Sequence, residues 1–342
     1  MMKRWKKALA IILGALGILA LFALWMFSPR LLSINYKGAE GANEGVWNDV
    51  SAADWMGHIA GETPLSSISL PGSHDSATRY VELPLIASCQ NTTISQQLND
   101  GVRVLDIRLN YDGGELTLSH GFLNCKTGPY VMAENLSFSE ILDECEDFLL
   151  EHDTETILMM VKHEHGDAVA QEVEDAVLNC IGDRLNMFYT ENSVPSLDEV
   201  RGKIVFARRY GEAGDKSLMG LDFYWDDQGG NGVYPSPFQS YDMTGDVSLL
   251  VQDRYEYDTG DKIAAVSAGI DNPNEDEAVL SLNYLSTKGD GAVGIPKLYA
   301  QVINAWFMAK DLRSGTDYGC IIFDFANEAL ARHVFAANTF VE

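Results

Sequence analysis

The sequence predicts an α/β chain folded as an eight-stranded (β/α)8-type barrel behind one N-terminal transmembrane helix. Three observations predict it. Eight short β-rich runs are spread over roughly 260 residues, amphipathic segments at helical spacing separate several of them, and polar residues recur at the C-terminal ends of the runs. In an α/β barrel those ends converge on one mouth, so the recurring polar residues should share a pocket.

The N-terminal element comes first. Lys3, Arg4, Lys6 and Lys7 precede an almost unbroken apolar run over 8–27, and twenty such residues at 1.5 Å rise span roughly the 30 Å hydrocarbon core. The run exceeds a usual signal-peptide core and no small-x-small cleavage site follows it. The expectation is therefore an uncleaved anchor over 1–30, with a cleaved signal peptide as the alternative. The basic cluster stays cytoplasmic by the positive-inside rule, which places the rest of the chain outside the cell. A polar linker over 31–53 then leads to the barrel over 54–342.

The β runs follow at 67–72, 102–109, 116–120, 156–162, 203–209, 248–253, 278–284 and 320–325, each bounded by polar or turn residues. Helical spacing appears over 138–150, 168–178, 296–310 and 328–336, with Pro296 suited to a first helical turn. The first run leads into His74 and Asp75, the second carries Asp106 and Arg108, and the third ends in His120. Lys162 ends the fourth and Arg209 the fifth. Asp253 and Tyr255 close the sixth, Asn283 lies in the seventh and Asp324 in the eighth. A single strand-end histidine or aspartate has dull explanations, such as a cap. Recurrence on nearly every strand does not.

Charge and motif content narrow the chemistry. Of 342 residues, 24 are Lys or Arg and 50 are Asp or Glu, a formal charge of −26 that disfavours nucleic acid. Removing the five basic residues of the anchor takes the remainder to −31. No Walker loop and no G-x-S-x-G motif is present, so nucleotide hydrolysis and a serine elbow lack support. The five cysteines have no metal-ligand spacing, which sets a structural zinc site aside. Cys89 and Cys125 are the preferred disulfide pair, because each follows a histidine motif; five free buried thiols are the alternative. The run Lys162-His163-Glu164-His165-Gly166-Asp167 looks like a metal cluster, but strand alternation turns His163 and His165 away from Lys162.

Two histidines, several carboxylates and an expected excess of positive side chains at the mouth suit an anionic, phosphate-bearing substrate. One imidazole can take a proton from a nucleophile while the other protonates the leaving group. Arg108 offers a planar fork for two phosphate oxygens.

The stretch DWMGHIAGETPLSSISLPGSHDSATRY over 54–80 resembles the opening of the bacterial phosphatidylinositol-specific phospholipase C family, whose X region contains P-G-[ST]-H-D-S. The resemblance continues in order through LNDGVRVLDIRL, LSHG, ETILMMVK, RGKIVFARRY, VQDRY and IIFDF. It implies a distorted TIM-type barrel that cleaves phosphatidylinositol to diacylglycerol and inositol 1,2-cyclic phosphate, with the inositol 2-hydroxyl as internal nucleophile. On that pattern His74 is the general base oriented by Asp324, and His120 the general acid paired with Asp75. Arg108 binds phosphate, Asp106 holds the local network, Lys162, Arg209 and Asp253 bind inositol hydroxyls, and Tyr255 packs on the inositol face.

Calcium-dependent relatives carry an acidic ligand at the Arg108 position, so the resemblance implies a catalytic centre with no metal and no cofactor. The implied partner is a phosphatidylinositol or glycosylphosphatidylinositol lipid in a membrane; no protein partner is implied. The aromatic segment 221–243 reads either as a rim loop touching lipid or as a loop folding its rings onto the barrel. Two rival functions stay open: a metal-dependent glycerophosphodiesterase-type barrel, and a barrel that binds lipid or glycan without turnover.

Overall fold

The computed structural model of the chain describes residues 2–31, 50–130, 132–211, 220–230, 236–244 and 248–341. Most of the expected linker, 32–49, and Tyr234 of the aromatic segment lie outside the described residues. The apolar N-terminal run forms one helix, Met2–Leu31, whose window Trp5–Phe22 is long and apolar enough to cross a membrane and buries none of its residues in the protein.

Among the described residues twelve strands follow: β1 (Leu70–Ser73), β2 (Val104–Asp112), β3 (Glu115–His120), β4 (Leu123–Asn124), β5 (Thr156–His165), β6 (Phe188–Tyr189), β7 (Lys203–Arg209), β8 (Leu221–Asp222), β9 (Gln239–Asp242), β10 (Ser248–Gln252), β11 (Val279–Tyr284) and β12 (Cys320–Phe323). Nine of them pair in parallel: eight in the order β8-β7-β5-β2-β1-β12-β11-β10, with β6 beside β8 along the same edge of β7. The result is a TIM-like barrel. Among the described residues no ladder joins β8 to β10, and side chains span that seam instead. Gln228 donates to the Val251 carbonyl at 3.2 Å and accepts from the Asp253 amide at 2.9 Å, while Asn192 links the Asp222 amide to the Thr244 carbonyl. The edge of β10 is also covered by β9, which runs antiparallel to it.

The count of eight agrees with the sequence, but the membership differs. The third expected run is β3, which is no barrel stave: it folds back antiparallel on β2 across the Gly113-Gly114 turn, where both residues have positive φ. The eighth stave is shared by the two-residue β6 and β8, each too short to show in the sequence. The expected helices form as Phe138–Glu151, Ala170–Ile181, Pro296–Met308 and Glu328–Phe335, joined by Thr259–Asp271. Ser137 caps the first, with Glu140 reaching back to the Ser137 amide.

Strand alternation sorts the barrel into two apolar layers. Leu70, Val104, Leu158, Met160, Val205, Ala207, Leu249, Val251, Leu280, Leu282, Cys320 and Ile322 share the interior cluster. Leu105, Ile107, Ile157, Met159, Val161, Ile204, Phe206, Ile321 and Phe323 pack instead into the cluster that includes the helices. The interior is crowded enough to fix Gly72 on β1, where an added Cβ would lie 2.9 Å from Val104 Cβ and 3.0 Å from Ile322 Cγ1. Below the strands, Val50 and Ala52 are already buried in this core, just ahead of the expected barrel start.

All five cysteines carry free thiols, which corrects the expected Cys89–Cys125 pair. Cys89 Sγ faces the Ala87 carbonyl and the His120 ring, whereas Cys125 is bound by its backbone between Leu118 and Leu136. The aromatic segment turns mostly inward: Phe223 and Trp225 are buried, and Tyr224 alone of that trio is exposed.

Candidate active site

Parity along the strands carries side chains from core to mouth. The inward series 70, 72 on β1 continues to His74, and 104 on β2 continues through Asp106 to Arg108. Positions 158, 160 lead to Lys162, 205, 207 to Arg209, 249, 251 to Asp253, and 320, 322 to Asp324. Each functional residue is thus the next inward step after packed apolar ones. Asn283 falls on the opposite parity. Its amide donates to the Val266 carbonyl at 3.2 Å and its oxygen accepts from Gln252, so it stays in the wall rather than at the mouth.

The mouth is a cavity of about 740 Å³. Eight of the ten residues to which the family resemblance gives roles line it: His74, Arg108, His120, Lys162, Arg209, Asp253, Tyr255 and Asp324. The other two, Asp75 and Asp106, lie buried directly behind the ring of lining groups. His120 arrives by a different route from the one expected, because β3 descends from its hairpin and ends at the mouth.

Serine and glutamine side chains fix the first histidine's backbone. The His74 amide donates to the Phe323 carbonyl at 2.8 Å, and the Ser76 hydroxyl receives the Asp106 amide at 2.8 Å. Gln90 donates to the His74 and Phe323 carbonyls and accepts from the Ala326 amide, stapling β1 to β12 below His74 and Asp324. Between these anchors Asp75 takes a left-handed conformation with φ of 48°, which an aspartate tolerates and which breaks strand alternation.

That break splits two adjacent residues between two pairs. His74 Nδ1 bonds Asp324 at 2.7 Å, and His120 Nδ1 makes a short bond to Asp75. Arg108 couples them. Its Nη2 bonds His74 Nε2 at 2.9 Å and Asp106 at 3.0 Å, while its Nη1 lies 3.6 Å from Asp75 and 3.3 Å from Glu164. The Arg108 Nε, though buried, has no protein partner among the described residues.

These contacts shift the protonation equilibria. Burial works against charge on His74, and Arg108 also opposes it, but the Asp324 carboxylate, joined by Asp75, outweighs both and raises the ring above its usual value. Burial opposes ionisation of Asp106, yet Arg108, His74 and Arg209 hold it far below the carboxylate range. Burial likewise opposes Glu164, and Arg108 with Lys162 brings it down to about 2.

Sequence reasoning did not assign Glu164 a role. It accepts from Lys162 Nζ at 2.5 Å and from Arg108, joining the two cations. Its signal was present, because alternation that turns His163 and His165 away turns Glu164 back beside Lys162. Trp225 and Asp227 were also missed. The Arg209 guanidinium lies over the Trp225 ring at 3.3 Å from its centroid, and Tyr255 donates to Asp227 at 2.6 Å. The expected excess of positive charge is corrected too. Arg108, Lys162, Arg209 and Lys288 line the cavity against Glu164, Asp227, Asp253 and Asp324, and Asp75 and Asp106 stand behind them. The site is a balanced network with carboxylates slightly in excess.

A parallel barrel whose mouth couples two histidine–carboxylate pairs through one guanidinium defines an acid–base barrel enzyme. Within that class, residues 62–210 match the family described as phosphatidylinositol-specific phospholipase C, X domain. The chain is similar to the bacterial phosphatidylinositol-specific phospholipase C family. It is 28% identical over 296 residues to a 1-phosphatidylinositol phosphodiesterase of Staphylococcus aureus, covering 81% of this chain and 89% of that protein. A 1-phosphatidylinositol phosphodiesterase of Listeria monocytogenes is 29% identical over 203 residues, 56% of this chain and 59% of the relative. Among solved structures, a mutant of the Staphylococcus aureus phosphatidylinositol-specific phospholipase C superposes with a TM-score of 0.71 at 23% identity, covering 85% of this chain and 98% of that one. The Listeria monocytogenes enzyme superposes at 0.65 with 22% identity, covering 85% of this chain and 100% of that one, so the barrel architecture is shared.

Proposed function

We propose that the chain cleaves phosphatidylinositol by attack of the inositol 2-hydroxyl on its own phosphorus, releasing diacylglycerol and leaving inositol 1,2-cyclic phosphate. The observation that carries the reading is the coupling of both histidine–aspartate pairs to Arg108. With Nδ1 of His74 bonded to Asp324, its Nε2 is the basic atom and faces the same guanidinium that would hold the phosphate. His74 takes the 2-hydroxyl proton, and Asp324 stabilises the imidazolium that forms. His120, oriented by Asp75, gives its Nε2 proton to the departing glycerol oxygen. Arg108 meets the charge that develops on the phosphoryl oxygens, held in register by Asp106 and Glu164. Lys162, Arg209 and Asp253 bind the ring hydroxyls, and Tyr255 packs against the ring. The names of the curated relatives support the substrate.

A guanidinium in the phosphate position is a fixed cation that would repel calcium, so the reaction is calcium-independent. The organisation read from the sequence goes with this function: an anchor over 1–30, a linker over 31–53 and an extracellular catalytic barrel over 54–342. The substrate class includes free phosphatidylinositol and glycosylphosphatidylinositol. Phe122 and Val293, both more than half exposed, line the mouth and give it an apolar rim toward lipid. Detergent-extracted full-length protein, incubated with phosphatidylinositol micelles in EDTA, should show the phosphorus resonance of a cyclic phosphodiester. A linear phosphomonoester alone, or turnover only after calcium is added, would overturn the reading.

A further inference from the structure

One side chain at the mouth has no part in that chemistry. Cys89 lines the cavity between the two histidine–aspartate pairs, buried at 1% exposure. Its Sγ lies 3.9 Å from His120 Nδ1, and Cys89, His120 and Asp75 place one ligand atom each within 4.8 Å of one another. The same thiol forms a second such group with His74 and Asp324. A thiolate, an imidazole nitrogen and a carboxylate oxygen are the donors of tetrahedral zinc sites, whereas calcium and magnesium take oxygen alone.

We infer that Cys89, His120 Nδ1 and Asp75 form an inhibitory site for a thiophilic divalent cation of the zinc type. Zinc–sulfur and zinc–nitrogen bonds of roughly 2.3 and 2.0 Å set the sulfur–nitrogen separation at about 3.5 Å. The observed 3.9 Å therefore needs to close by a few tenths of an ångström. The short His120–Asp75 hydrogen bond must open by a larger amount, the cation taking the place of its proton. The cavity supplies the fourth position.

Arg108 opposes a cation here, but a thiolate and Asp75 together cancel its two charges, and the six carboxylates around the mouth outnumber its four cations. On binding, the thiol proton and the Nδ1 proton of the His120 imidazolium leave to solvent, and Nε2 keeps its own. An imidazole held by a metal at Nδ1 can no longer form an imidazolium, so it gives up the Nε2 proton poorly and the leaving group departs unprotonated. The inhibitory consequence rests on His120 being the acid; the binding site does not. Calcium independence and zinc inhibition are then two sides of one arrangement.

Cadmium serves as the probe, because a thiolate–cadmium bond absorbs in the near ultraviolet. Titration of the full-length protein should give one equivalent of that absorption, displaced by zinc, retained in Cys320→Ser and weakened at least tenfold in Cys89→Ser and Cys89→Ala. Zinc should slow phosphatidylinositol turnover, EDTA should reverse it, and the half-inhibitory concentration should rise at least tenfold in both Cys89 variants, each compared with its own rate in EDTA. Absorption that survives in both Cys89 variants, or no cadmium binding to the wild-type chain, would overturn the site. One-equivalent binding that depends on Cys89 but leaves turnover untouched would support the site and overturn the acid role of His120. A chain with no turnover at all would still be decided by the cadmium titration.

Discussion

Two arginines five residues apart, Arg103 and Arg108, stand at opposite ends of the barrel and do opposite things with the same side chain. Arg103, fully buried below β2, bonds Glu155 through both Nε and Nη2 at 2.9 and 2.6 Å, and spends its remaining hydrogens on the carbonyls of Leu98, Val102, Ala52 and Ala53. Arg108 is slightly exposed, bonds carboxylates and an imidazole, and keeps an Nε with no partner among the described residues. A guanidinium saturated by carbonyls is a staple for chain segments. One held by ionised groups at the edge of a cavity is fixed in direction yet open to a ligand.

The comparison can be broken at its functional end first. His74→Ala and His120→Ala should each lower turnover by about 10²–10⁴-fold, the range of a lost general acid or base, with the melting temperature little changed. Arg108→Lys keeps the charge but loses the planar fork, and steady-state kinetics should show kcat reduced by about 10²–10³-fold. Removing the staple should have the reverse profile. Arg103→Met leaves Glu155 buried and uncompensated, so denaturant unfolding should report a loss of about 3–5 kcal/mol while the folded fraction turns over at the wild-type rate.

The smallest effect is a displaced pH profile. His74 must be neutral to act as base, and Asp324 raises its pKa above 6.5. kcat/KM should therefore fall as pH drops through that raised value. Asp324→Asn removes the stabilising charge, so the acidic limb should move to lower pH as the rate declines; a limb that stays in place would separate it from His74.

Much of this contrast is legible in the sequence because parity is. Once 102–109 is read as a strand, Asp106 and Arg108 share a face with Val104, and the same arithmetic places Lys162, Arg209, Asp253 and Asp324. Asp75 escapes that reading, since a left-handed residue leaves the two-residue period and only the fold brings it to His120. Alternation alone does not distinguish a parallel stave from a returning hairpin strand, so β3 looked like a stave, although Gly113-Gly114 is a two-residue turn signal. Glu164 was obscured by the histidines beside it. Gln90 and Gln228 act through bonds to the backbone of distant strands, and nothing in their local sequence marks them.

The assignment of acid and base is tested most directly by changing the leaving group. With an inositol phosphate ester of a phenol acidic enough to depart without a proton, His120→Ala should recover most of its lost rate relative to phosphatidylinositol, whereas His74→Ala should stay equally impaired on both substrates. Equal impairment of the two variants on both substrates would contradict the division of labour between the two pairs.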